Sequence, residues 1–378
     1  MDAVLEYAHA AQGKTIGLIR TLVECESPSD DPLLLDQFVA LICDVVAPVA
    51  KTKVYRNGSV LIDFDLPGGR KKGRILAIGH CDTVWPKGTL QSMPFRQADG
   101  RLWGPGVLDM KAGVALFIQA MRALRDLEIP VGAKVSLLLT PDEETGSESS
   151  RAQIESLASK SRAVLVLEPG TGPTGKLKTS RKGVGRYLVR VRGRAAHSGI
   201  DFAAGASAVV ELAHQIGQIA ALSDLERGIT VNPGVVAGGT RSNVVAEHAS
   251  VEVDVRVPRL KDAEAIDRKL RRLKPRDRRC AIEVTGALNR PPMERTPAIA
   301  NLFALARDAA AGLGLKLEES STGGGSDGNF TAALGIPTLD GLGAVGEGAH
   351  ASHESIFADR IADRTALLAR LVEAVSRT

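Results

Sequence analysis

GHCDTVWPKGTLQSMPFRQADGRLWGPGVLDMKAG, Gly79 to Gly113, is the stretch from which the rest of the chain can be read. The residues leading into it, RILAIGH, form a continuous apolar run that reads as a buried strand ending on His80. In an open α/β sheet the carboxyl ends of the strands face the ligand crevice, so His80 stands where chemistry is done. Asp82 comes two residues later, where extended backbone returns its side chain to the same side. It can accept the other imidazole N–H and fix the tautomer. Asp109 comes from a loop made sharp by Gly104-Pro105-Gly106, just before an amphipathic helix. A lone histidine at a strand end is usually not a metal ligand, since histidine also serves as a general base and a pH switch.

Further acids and a second histidine change that balance. The apolar run KVSLLLT, Lys134 to Thr140, ends directly in PDEETGS, which carries Glu143 and Glu144. Consecutive acids at a buried strand end are costly unless a positive charge sits among them. The pattern repeats in AVLVLEP, Ala163 to Pro169, which carries Glu168, and GEGAHASHESI adds His350 and His353. His80, Asp109, Glu144, Glu168 and His350 therefore form a set, with Asp82 and Glu143 beside it. Two imidazoles and three carboxylates suit zinc or a similar borderline metal. Five ligands suit a pair of ions sharing one carboxylate better than a single ion. Such a pair can clamp a water, lower its pKa and polarise a carbonyl, and one further acid must then take the proton.

Composition sets the outer bounds. A chain of 378 residues is too long for one typical core, so two domains are expected. Hydrophobic residues at 44% and charged residues at 24% are ordinary for a globular protein that buries a large core. The net charge of +4 supports at most a weak attraction for anionic small molecules. Aromatics at 3% leave few residues on which bases could stack, which argues against nucleic acid. Cys25, Cys43, Cys81 and Cys280 form no C-x-x-C pair and read as reduced thiols. Residues 1–20 lack the pattern of a signal peptide and no later run approaches a membrane span, so the expected compartment is the cytoplasm, with no membrane partner.

Two tempting motifs fail on context. GKT at 13–15 would need glycine at position 8, which is Ala8, and a preceding strand. GTGPTG at 170–175 matches a dinucleotide fingerprint in letters, but KLKTSRKG after it does not open a helix, so it reads as a loop. From about residue 182 the texture changes to alternating strands and two helices in the order β-α-β-β-α-β, that of a ferredoxin-like unit covered on one face. The α/β texture then resumes with a helix near 297–314, a glycine loop TGGGSDGNF at 322–330, an apolar strand IPTLDGLG and a closing helix from about 359. The expected architecture is a doubly wound α/β domain with a mixed sheet, residues 1–181 and 290–378, interrupted by an α+β insert at 182–289.

GHCDTV, GPGVLDMKAG, DEETGS, LEP and GAHASHE, in this order, resemble the motif set of the M20 metallopeptidases, most closely the glutamate carboxypeptidase branch. The resemblance spans nearly the whole chain. It implies two Zn2+ per chain, with Co2+ or Mn2+ as substitutes: one held by His80 and Glu168, the other by Glu144 and His350, with Asp109 bridging. It also implies Glu143 as general base, Asp82 as the residue that orients His80, and a cis peptide after Asp109. Family endings of the type H-x-x-x-E align with His350 and Glu354, leaving His353 as a surface residue. The insert is implied to be a lid and dimerisation domain, with His197 of RAAHSG stabilising the oxyanion in the other subunit of a homodimer. Lys176, Asn243, Arg256 and Arg290 match substrate-contacting positions, although the Lys-rich KLKTSRKG departs from the branch. The implied reaction is amide hydrolysis that releases an amino acid, glutamate or aspartate, from an N-acyl amino acid or short peptide. The alternatives are a deacylase of the acetylornithine or succinyl-diaminopimelate kind and a non-catalytic binding protein with the same fold.

Overall fold

The apolar runs that end on or near candidate ligands are neighbours in one sheet. In the computed structural model, which describes residues 2–378, a six-stranded sheet has the order Ala50–Val54, Val60–Phe64, Lys134–Thr140, Arg74–His80, Ala163–Val166, Thr338–Leu339. The last four strands are mutually parallel and the first two are antiparallel, as a mixed sheet requires. Register brings the strand ends into line. His80 pairs with Thr140, so those two strands finish level, and Ile78 pairs with Val166, so Glu168 follows two residues later, opposite His80. Residues just beyond those ends, Glu143, Glu144 and Glu168, must therefore emerge along the same edge as His80.

Both faces of the central strands are covered, which is why Arg74–His80, Lys134–Thr140 and Ala163–Val166 read as continuous apolar runs. Ile75 and Ala77 face a large core with Val114, Phe117 and Met121 of the helix Ala112–Asp126 and Leu367, Leu368 and Leu371 of the helix Ile361–Arg377. Leu76 and Ile78 face the other side, against Ile154 and Leu157 of the helix Arg151–Ala158 and Phe330. Each such side chain contributes about 1.5–3 kcal/mol on burial. One close approach demands glycine: a Cβ on Gly113 would lie 2.2 Å from the carbonyl oxygen of Leu167.

Some local features differ from the sequence expectations. The glycine loop ends sooner than expected, because Ser326 Oγ accepts the N–H of Gly328 and starts the helix Gly328–Ala333. A second small sheet, Gly346–Glu347, Ser355–Phe357, Arg101–Trp103 and Arg96–Ala98, is absent from the sequence reading, since strands of two or three residues carry no alternation.

The chain divides into two compact units, Met1–Ser180 with Arg295–Ser321 and Ser326–Thr378, and Arg181–Glu294 with Thr322–Gly325. The second has an antiparallel sheet in the order Thr230–Gly238, His248–Val257, Gly183–Arg192, Ala281–Arg290. Val189, Val251, Val253 and Val255 pack against Leu212 and Ile219 of the helix Ala208–Ala220 and Ile266 and Leu270 of the helix Leu260–Arg271. This is the ferredoxin-like β-α-β-β-α-β unit, with its helices on one face.

Candidate metal centre

His80 ends its strand with the ring buried. Its Nε2 lies 3.1 Å from Asp109 Oδ1 and 3.8 Å from Glu168 Oε1. His350 Nε2 lies 3.1 Å from Glu144 Oε1 and 3.3 Å from Asp109 Oδ2. The two Asp109 oxygens thus face different histidines. Two donor groups result, His80–Asp109–Glu168 and Asp109–Glu144–His350, each with its ligand atoms within 4.8 Å of one another. Donors about 2.0–2.2 Å from a tetrahedral zinc ion are roughly 3.3–3.6 Å apart, close to the spacings found here. The donor set of imidazole nitrogens and carboxylate oxygens fits such an ion.

The protons report the same demand for positive charge. Burial alone would disfavour the His80 imidazolium, but hydrogen bonds to Asp109 and Asp82 outweigh it and hold its pKa well above the ordinary value. Hydrogen bonds to Asp109 and Glu144 push His350 up to about 10 against the opposing effect of burial. Burial would raise the Asp109 pKa, yet the two histidines hold it far below the usual carboxylate range. In the protein alone, imidazolium protons balance the carboxylates, the role that a divalent ion held by the same side chains would take over.

Two acids outside the donor groups hold the ligand-bearing turns. Asp82 was expected to meet His80 through its carboxylate, but His80 Nδ1 lies 2.9 Å from the main-chain oxygen of Asp82 and 3.4 Å from its Oδ1. The carboxylate is turned to accept the main-chain N–H groups of Glu143 and Glu144, at 3.2 and 3.1 Å, and the hydroxyl of Ser29. Asp82 therefore links the His80 ring to the turn that carries Glu143 and Glu144. Glu354, fully buried, accepts the N–H groups of Gly106, Leu108 and Asp109 and the indole N–H of Trp85, at 2.8–3.1 Å. Burial raises its pKa and these four donors oppose the rise. It shapes the loop that presents Asp109, whose peptide bond to Met110 is cis.

Seven expected residues meet in the first unit: His80, Asp82, Asp109, Glu143, Glu144, Glu168 and His350. His350 adopts a left-handed backbone (φ 62°), and His353 is exposed and belongs to neither donor group. Lys176, in the same unit, is ion-paired to Glu318 at 2.8 Å. In the second unit, His197 bridges to Val244, and Ser198 donates its N–H to the Asn243 carbonyl, so His197 and Asn243 lie side by side. Arg256 and Arg290 both pair in register with Val184, with Arg256 Nε 2.8 Å from Asp254 and Arg290 buried. The sequence reading did not single out Trp85, Ser29, Ser147 or Asp327, whose contacts join residues far apart in the chain.

The family model for peptidase family M20/M25/M40 matches residues 76–374. The chain belongs to this peptidase family. As an M20 peptidase it is an enzyme that hydrolyses peptide or amide bonds. It is 28% identical over 315 residues to carboxypeptidase G2 of Pseudomonas sp. (strain RS-16), a match covering 80% of this chain and 75% of that protein. Its fold is that of aminopeptidase PepT from Bacillus cereus, with a TM-score of 0.79 at 22% identity over 96% of this chain and 98% of the other. It is also that of the Bacillus subtilis YXEP protein, described as a dinuclear metal-binding M20 peptidase, with a TM-score of 0.74 at 16% identity over 98% and 99%. For this M20 peptidase the mixed α/β fold with its inserted unit is as the sequence motifs implied.

Proposed function

We propose that this M20 peptidase uses two zinc ions to release a C-terminal glutamate or aspartate from an N-acyl amino acid or short peptide. The observation that carries the reading is the division of Asp109, one oxygen toward His80 and the other toward His350. His80 and Glu168 would hold one ion, Glu144 and His350 the other, and Asp109 both; Co2+ or Mn2+ would serve as substitutes. When bound, such a pair lowers the pKa of a water and polarises the scissile carbonyl.

Glu143 takes the proton of the attacking water and delivers it to the leaving amine, with its main chain anchored on Asp82. His197, supplied by the second subunit of a homodimer, donates a hydrogen bond to the developing oxyanion. Arg256 and Asn243 grip the terminal carboxylate, and Arg290 and Lys176 the acidic side chain. Arginine suits a two-point grip on a carboxylate. Asp254 holds Arg256 and Glu318 holds Lys176 without substrate, so each exchanges a protein carboxylate for the substrate's. The 28% identity to carboxypeptidase G2 supports release of a C-terminal residue. Four free thiols favour a reducing compartment such as the cytoplasm, and among the described residues no helix is long and apolar enough to cross a membrane.

The test is Glu143→Gln, which keeps shape and removes the base. With zinc-loaded protein and a panel of N-acyl amino acids and dipeptides, kcat should fall about 10²-fold to 10⁴-fold, while metal analysis stays near two ions per chain. Loss of zinc would instead make Glu143 a ligand. Wild-type protein that hydrolyses the panel with no metal bound would defeat the reading altogether.

A further inference from the structure

The glycine loop that the proposed reaction leaves unused ends in Asp327, which is 2% exposed. One of its carboxylate oxygens accepts the hydroxyl of Thr140, at 3.1 Å, and the other accepts the hydroxyl of Ser147. Both hydroxyl residues are fully buried. Thr140 is the last residue of its strand, paired in register with His80. Ser147 closes the turn beyond that strand, its N–H bonded to the Asp142 carbonyl and its backbone left-handed (φ 60°). A single carboxylate therefore holds both ends of the segment whose middle carries Glu143 and Glu144.

Beside Asp327 lies a second buried polar set. Ser326 donates its hydroxyl to Asp340 at 2.6 Å, and Lys178, 3.9 Å from Asp340, donates to the carbonyl of Pro169, the residue after Glu168. This neighbouring set holds the turn that bears Glu168, as Asp327 holds the turn that bears Glu144.

We infer that Asp327 is a positioning residue, acting through Ser147 and Thr140 to fix the turn that carries Glu143 and Glu144. The inference rests on the ligand role proposed above for Glu144. Asp82 holds the middle of the turn by its main chain, but that grip leaves the two ends able to shift. Asp327 spans both ends. A carboxylate suits the task because each oxygen can accept one hydroxyl; an asparagine offers a single oxygen and turns an N–H toward the second hydroxyl. Groups that orient ligands from behind typically change metal affinity or activity about 10-fold to 100-fold when removed.

The experiment uses full-length, metal-free protein titrated with Co2+ and followed by its visible absorption, for the wild type, Asp327→Asn, Ser147→Ala and the double variant. Wild-type protein should bind two Co2+. In each single variant one binding step should weaken about 10-fold to 100-fold while the other is unchanged. The double variant should be no weaker than the worse single variant, because both substitutions break one connection. Unfolding midpoints identify folded variants, and Ser147→Ala alone carries the test if Asp327→Asn does not fold. Titrations that superimpose on the wild type, equal weakening of both steps, or additive losses in the double variant would each overturn the inference. A wild type that binds fewer than two Co2+ would instead count against the two-ion reading, and the inference would fall with it.

Discussion

Replacing Glu354 by glutamine removes one of two oxygens that together accept four N–H groups. Oε1 serves Leu108 and Asp109; Oε2 serves Gly106 and the Trp85 indole. Whichever way the amide is placed, its NH2 faces two buried N–H donors that lose their acceptor. Each unsatisfied buried group costs about 1–3 kcal/mol, so Glu354→Gln should destabilise the protein by about 2–6 kcal/mol. That is a large part of the ~5–15 kcal/mol that separates folded from unfolded domains. Because three of the donors belong to the loop that presents Asp109, metal content should fall together with stability. Urea unfolding of the metal-free protein and metal analysis of the loaded protein measure the two effects. A variant within about 0.5 kcal/mol of wild type, the range of ordinary surface substitutions, with full metal content, would refute the view that Glu354 holds this loop.

Arg256→Ala should lower kcat/KM on every substrate, whereas Arg290→Ala should lower it mainly on acidic ones, and a substrate with an amidated C-terminus should be poor with the native enzyme. Cleavage of the amide as fast as the acid would rule out the carboxylate grip. Mixing His197→Ala chains with Glu143→Gln chains should restore part of the activity, since one site in the mixed dimer would be whole; verified mixed dimers without recovery would confine His197 to its own chain or remove it from the reaction. Gly113→Ala places a Cβ against the carbonyl oxygen of Leu167, beside Glu168, and should cost about 1–3 kcal/mol in thermal or urea unfolding. An unchanged midpoint would show that the helix can back away at no cost.

How much of the molecule was legible in its sequence depends on the range of the underlying physics. RILAIGH, KVSLLLT and AVLVLEP announce themselves because strands buried on both faces need uninterrupted apolar residues, and their ends carry the ligands directly. The insert's four strands and two helices were equally visible through alternation and amphipathic spacing. Asp82 was assigned to His80 from extended backbone, yet its carboxylate serves the N–H groups of Glu143 and Glu144, a contact across 61 and 62 residues that no local pattern encodes. Asp327 was hidden for the same reason: its hydroxyl partners lie 187 and 180 residues earlier. The strands Arg101–Trp103 and Ser355–Phe357 were too short for any period to register, so the sheet joining them was unreadable.

That small sheet has a consequence for how the enzyme comes into being. Arg101–Trp103 pairs on one side with Ser355–Phe357, and the loop after it leans on Glu354, 245 residues beyond Asp109. At synthesis rates of about 5–20 residues per second, roughly ten seconds to a minute separates the emergence of Asp109 from that of its support. During that interval the nascent chain carries Asp109, Glu144 and Glu168 without His350, and one edge of Arg101–Trp103 stands open to any passing strand. A chain arrested before Gly346 therefore emerges with four of its five candidate ligands and no means of shaping the loop between them, so the capacity to hold metal should arrive late and abruptly in the life of each molecule.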